Sequence, residues 1–153
     1  MEAIVLCGIQ GSGKTTFYRE RLQDTHIRLS LDMLRTRHRE AQLVRACVEA
    51  KQPFVVDNTN PTAAERRLYV EPARAGRFRV VGYFFDTRPR DAIARNERRS
   101  GRERIPIPGI LGTYKRLEPP RHEEGFDAVY RVCVAEGGGW VVEELPETAG
   151  TAA

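Results

Sequence analysis

Gly8-Ile9-Gln10-Gly11-Ser12-Gly13-Lys14-Thr15 follows the pattern G-x-x-x-x-G-K-T. The three glycines let the backbone bend until successive N–H groups point inward, forming a concave cradle for an anion. Lys14 adds a mobile positive charge for the β- and γ-phosphates, and the Thr15 hydroxyl is of the type that ligates Mg²⁺. The chemistry is phosphate binding. Gly8, Gln10, Gly11, Ser12, Gly13, Lys14, Thr15 and Thr16 are the candidate contacts for ATP or another nucleoside triphosphate. A dinucleotide-binding loop is excluded, because Thr16 stands where its third glycine should be.

Two further groups carry chemistry. Asp32 and Arg35 are three residues apart, which puts them on one face of a helical turn. A kinase needs a carboxylate for the proton of an attacking hydroxyl and a fixed cation for a substrate phosphate. On spacing alone, an ordinary surface ion pair is the better account of these two residues. The string Asp57-Asn58-Thr59-Asn60-Pro61 follows the apolar run Phe54-Val55-Val56. A carboxylate at the end of such a strand, beside a phosphate loop, is placed to hold Mg²⁺ through water. Cap-and-turn chemistry explains Asn60-Pro61 but not the whole string.

These groups need elements to position them. Ala3–Cys7 reads as a buried strand, and Thr16–Leu22, free of Gly and Pro, opens a helix. Ile27–Ser30 reads as a short strand and residues 31–50 as mostly helical. Pro53–Val56 reads as a strand, and a helix with Asn60 as N-cap runs to Ala75, where Gly76 stops it. Thr62-x-x-Glu65 makes a capping box one turn later. Arg79–Phe85 is the next strand, Pro89–Arg99 and 109–117 are helices, and Ala128–Val134 pairs with Trp140–Leu145. Alternating strands and helices predict an α/β domain with a mostly parallel sheet, whose ligands bind at the carboxyl ends of the strands. The phosphate loop, Asp32 with Arg35, and Asp57–Asn60 all fall at such ends.

The chain has 153 residues, is 41% hydrophobic and 30% charged, and holds no apolar run of membrane-spanning length. The expectation is one cytoplasmic domain over residues 1–147, with no membrane association, and a disordered tail at 148–153. Cys7, Cys47 and Cys133 are odd in number and widely spaced, which suits reduced core thiols. Residues 1–116 carry a net charge of +10 and residues 117–153 a net −6, so the portion with the phosphate loop favours an anionic substrate. Of 25 basic residues 22 are Arg, which suits phosphate handling but equally a GC-rich coding bias.

The chain resembles the P-loop kinase domain of polynucleotide 5′-hydroxyl kinases. The resemblance rests on Gly8–Thr15, Asp32-x-x-Arg35, the Asp57-Asn58-Thr59-Asn60-Pro61 string and Arg95-Asn96-x-x-Arg99 ahead of Ile105-Pro106, and runs from residue 3 to about 135. It implies a three-layer P-loop NTPase fold with a mostly parallel central sheet and a helical Arg-rich lid at about 88–106. It implies that Lys14 and Thr15 bind the ATP phosphates and Mg²⁺, and that Asp57 supports the metal. Asp32 would be the general base on a nucleic acid 5′-OH and Arg35 would contact the adjoining phosphate, with Asn58 and Thr59 on the substrate side. Arg99 would be the lid arginine, with Arg95 and Arg102 as alternatives. The implied family often carries a 3′-phosphatase or ligase domain. These 153 residues leave no length for one, so separate 3′-end-processing or ligase proteins are expected partners. A kinase of a small metabolite or a tRNA-linked group is the alternative. A nucleotide-binding switch that transfers no phosphate comes next, and a non-catalytic nucleic-acid-binding module last.

Overall fold

The computed structural model describes residues 1–99, 101 and 104–147. Six strands form one sheet: β1 Glu2–Cys7, β2 Ile27–Leu29, β3 Phe54–Asp57, β4 Arg79–Phe85, β5 Ala128–Val134 and β6 Trp140–Leu145. The order is β2-β3-β1-β4-β5-β6, parallel throughout except for the β5–β6 hairpin. The central strand β1 is buried on both faces, as its unbroken apolar run requires. Ala3 and Val5 face one core with Leu29, Phe54, Val56 and Val80. Ile4 and Leu6 face the other with Phe17, Val55, Val81 and Phe85.

Among the described residues six α-helices accompany the sheet: α1 Lys14–Arg21, α2 Leu31–Leu34, α3 Arg37–Ala50, α4 Ala63–Ala75, α5 Pro89–Glu97 and α6 Ile107–Arg116. Helices α3 and α4 supply Val44, Cys47, Tyr69, Val70 and Ala73 to the first core, and α1 supplies Phe17 to the second. A third, smaller cluster joins Ile9 of the phosphate loop to Ala92 of α5 and Ile110 of α6. The three-layer α/β fold is as expected. Chain order makes β3 and β4 the two neighbours of β1, so the sheet's winding reverses at β1, and the carboxyl end of such a strand is where sheets of this kind take their ligands.

Residues 31–50 are mostly helical, as expected, and form two helices: the chain breaks at Arg35 (φ 74°) and restarts with Thr36 as the N-cap, its Oγ1 accepting from Arg39 N. Two local expectations are corrected. Asn60 is not an N-cap: it has φ 45° and its side chain is buried against the end of the central strand β1, while Thr62 caps α4 by accepting from Glu65 N. Cys7 and Cys47 are buried and Cys133 is only half-buried, so the third thiol is not a core residue; all three are free. Gly76 ends α4 as expected. Residues 148–153 lie outside the described residues.

Candidate phosphoryl-transfer site

The phosphate loop leaves β1 and enters α1 with Gly11 at φ 79° and Gly13 at φ 96°, a region that favours glycine. Neighbours press on both. A Cβ at Gly11 would come 2.6 Å from Ala92 O, and one at Gly13 would come 2.7 Å from the Trp140 ring. Trp140, the first residue of β6, packs edge-on to Phe17 and Phe85 and donates Nε1–H to Glu20. The edge hairpin and α5 thus brace the loop from outside.

Lys14 folds back into its own loop. Its Nζ donates to Gly8 O and Ile9 O at 2.8 Å each and to Ser12 Oγ at 3.3 Å. Burial lowers its pKa to about 8. The Arg99 guanidinium adds to the lowering, and the Asp57 and Asp32 carboxylates oppose it.

Asp57 ends β3 and is buried. Its Oδ2 accepts from Thr15 Oγ1 at 2.8 Å and from Arg28 Nε at 2.7 Å. The next residue, Asn58, accepts Leu31 N–H on Oδ1 at 2.9 Å, at the first turn of the Asp32 helix. Its Nδ2 donates to Glu40 Oε2 at 2.8 Å and to Tyr69 OH at 3.2 Å. Thr59 O accepts Gly8 N–H at 3.0 Å, and Asn60 Nδ2 donates to Leu6 O at 2.7 Å. The Asp57–Asn60 string thus ties the phosphate loop, the end of β1 and the Asp32 helix together.

Asp32 and Arg35 are both exposed, and among the described residues no ion pair joins them. The surface ion pair that spacing alone favours is absent because Arg35 has left the helix. Arg95 Nη1 donates to Gly11 O at 3.3 Å, laying its side chain on the loop. Asn96 is 1% exposed and clamps both backbone groups of Ile105: Oδ1 accepts N–H at 2.8 Å and Nδ2 donates to the carbonyl. Arg99 follows, half-buried, with its N–H on Asn96 O. Arg102, the other lid alternative, lies outside the described residues.

Two expected contacts also have partners within the protein. Gln10 donates to Thr113 Oγ1 of α6 at 3.1 Å, and both polar groups of the Asn58 amide are taken by internal partners. Sequence reasoning missed the residues that hold the site from behind. Glu40, 2% exposed, accepts from Arg37 at 3.0 Å and Tyr69 at 2.7 Å as well as from Asn58. Burial, then the Glu40 hydrogen bond and charge, push the Tyr69 phenol well above its ordinary pKa, so it remains a donor. Arg66, fully buried, makes a two-pronged pair with Glu124 and donates to Asn60 O. For Glu40 and Arg66 the available signal was a charged residue in the first turn of a helix, in line with the apolar stripe that follows it (Val44 and Cys47; Tyr69, Val70 and Ala73).

The phosphate loop at the sheet's switch point and the three-layer architecture are those of P-loop kinases. The chain belongs to the AAA domain family, whose profile matches residues 35–117. The chain is similar to a bifunctional polynucleotide phosphatase/kinase of Schizosaccharomyces pombe, 26% identical over 140 residues, which are 86% of this chain. The matched part is 33% of that relative, so the chain spans about a third of its length. Its fold is similar to a gluconokinase of Sinorhizobium meliloti (TM-score 0.64, 20% identity, covering 88% of this chain and 83% of that one). It is also similar to Kti12 of Chaetomium thermophilum, solved with ADP-AlF3 (TM-score 0.64, 17% identity, 86% and 88% covered). No helix among the described residues is long and apolar enough to cross a membrane.

Proposed function

We propose that this chain is an ATP-dependent polynucleotide 5′-hydroxyl kinase domain, transferring the γ-phosphate to a 5′-OH end of DNA or RNA. The observation that carries the reading is the pair of adjacent residues at the end of β3. Asp57 holds Thr15 on the donor side and Asn58 holds the Asp32 helix on the acceptor side. One rigid strand end therefore fixes the distance between a phosphate-binding loop and an exposed carboxylate. The sequence likeness to a polynucleotide phosphatase/kinase supports the choice of acceptor.

In this reading Lys14 leaves the Gly8 and Ile9 carbonyls when phosphate arrives and bonds the β- and γ-phosphates instead. Asp32 accepts the proton of the 5′-OH and aligns it with the γ-phosphate. Arg35 binds the phosphate next to that hydroxyl, and Arg99, at the end of the lid helix, offsets charge on the transferring group. The Thr15 hydroxyl and the Asp57 carboxylate are hard oxygen donors side by side, which fits Mg²⁺ held by one or two protein groups and by phosphates. Bound there, Mg²⁺ neutralises phosphate charge. Arg28 Nε donates to the same Asp57 oxygen, Oδ2, that accepts from Thr15, and helps to fix that carboxylate beside the loop.

The test is transfer of label from γ-labelled ATP, with Mg²⁺, to a panel of 5′-OH DNA, 5′-OH RNA and small alcohols. Label on oligonucleotides supports the reading, and label on a small alcohol alone moves the chain to metabolite kinases. Nucleotide binding with slow hydrolysis and no transfer, unaffected by Asp32→Ala, makes it a switch. Arg99→Ala lowers the transfer rate on the order of 10³-fold if Arg99 is the arginine finger. A near-normal rate moves that role to Arg95 or Arg102.

A further inference from the structure

Residues 25–39 contain four arginines, Arg28, Arg35, Arg37 and Arg39, and a single carboxylate, Asp32. The fold divides the four. Arg28 pairs with Asp57 and Arg37 with Glu40. Arg35 and Arg39 are exposed, and among the described residues neither joins an ion pair. Glu40 does not neutralise this surface, because its carboxylate is turned inward onto Asn58, Tyr69 and Arg37.

Arg39 is tethered. Its Nη1 donates to Leu34 O at 3.3 Å, the carbonyl immediately before Arg35. The positive φ at Arg35, uncommon for this residue type, turns the chain sharply between α2 and α3. The turn brings the Arg39 guanidinium back beside the backbone from which Arg35 departs. With Nη1 on the carbonyl, the Nε and Nη2 edge of Arg39 remains for two phosphate oxygens.

We propose that Arg39 is a second phosphate contact beyond Arg35, so that the preferred acceptor is a nucleic acid strand carrying at least two phosphates after its 5′-hydroxyl. The proposal rests on the polynucleotide-kinase reading above. One exposed carboxylate beside two unneutralised guanidinium groups matches a hydroxyl followed by a row of phosphodiesters. An acceptor with one phosphate engages Arg35 and leaves Arg39 unused.

The experiment compares a nucleoside 3′-monophosphate with a 5′-hydroxyl dinucleotide 3′-phosphate, by calorimetric binding and by transfer from labelled ATP. The two-phosphate acceptor binds about tenfold or more tightly, the scale of charge-assisted hydrogen bonds. Its log–log salt slope is steeper by about 0.7. Arg39→Gln, checked for an unchanged melting temperature, collapses both differences. Arg39→Lys retains part of the affinity step, since the charge remains without the fork. Arg45→Gln, at an exposed arginine further along α3, keeps both differences. Equal binding of the two acceptors, or a step that survives Arg39→Gln, overturns the proposal. Arg39-dependent binding without transfer refutes the kinase reading and leaves the second contact standing. Transfer without the Arg39-dependent step does the reverse.

Discussion

Glu40→Ala tests how the acceptor side is held. Glu40 is 2% exposed and accepts hydrogen bonds from Asn58, Tyr69 and Arg37 at 2.8, 2.7 and 3.0 Å. Truncation leaves these donors short of an acceptor. Arg37 is about half exposed and turns to water, so its share is discounted. The Asn58 amide and Tyr69 hydroxyl keep each other at 3.2 Å but lose their strong acceptor. An under-satisfied buried polar group costs about 1–3 kcal/mol, so the two together cost about 3 kcal/mol. For a chain of this length that lowers the melting temperature by about 6–12 °C. Glu40→Gln keeps one acceptor oxygen and turns an NH₂ toward a donor, costing about 1–2 kcal/mol. Thermal and urea melts measure both. Function separates the site's halves. Asn58 holds Leu31 N–H, whereas Thr15 is held by Asp57, so the acceptor KM rises in Glu40→Gln while ADP affinity stays within about twofold. A Glu40→Ala melt within about 1 °C of the parent refutes the energetic argument. Equal losses in ADP affinity and acceptor kinetics refute the division into halves.

Lys14 predicts opposite pH trends for stability and ligand binding. Its pKa is lowered from 10.5 to about 8, so between those values the unfolded chain binds the extra proton. This group therefore adds stability as pH rises from 8 to 10.5 and contributes no slope below 8. Phosphate needs the ammonium form, so ADP affinity is flat below about pH 8 and then falls by up to about tenfold per pH unit. Calorimetry at pH 7, 8 and 9 checks this, and constant affinity refutes it. Asn96→Ala frees both backbone groups of Ile105, and limited trypsin digestion at Arg98, Arg99 and Arg104 accelerates while the melting temperature of the rest changes little. Unchanged cleavage there refutes the clamp.

The phosphate loop was legible because its chemistry is local. Glycines, a lysine and a threonine at fixed spacing make a cradle wherever a strand meets a helix, and both flanking elements lie where their apolar patterns put them. The six strands were legible from the same alternation of runs and breakers. The Asn60 cap was misread because Asn suits both an N-cap and a positive-φ turn, and only the Leu6 carbonyl across the sheet decides between them. The break at Arg35 was illegible because nothing in Leu34-Arg35-Thr36 forbids a helix. The break is set by Thr36 capping α3 and by Asn58 seizing the start of α2.

By itself the sequence determined that a glycine-rich loop of the phosphate-binding pattern follows β1, that the fold is α/β, and which residues are chemically able to act. Tertiary structure decided which of those residues meet. Asp57 is a partner of Thr15 and Arg28, Asn58 is a strut for the Asp32 helix, and Glu40 is an internal acceptor rather than a surface charge. The reason is reach. Local pattern fixes backbone conformation over a few residues, whereas a buried carboxylate's role depends on donors 18 to 42 residues away, which only sheet order brings within hydrogen-bond distance.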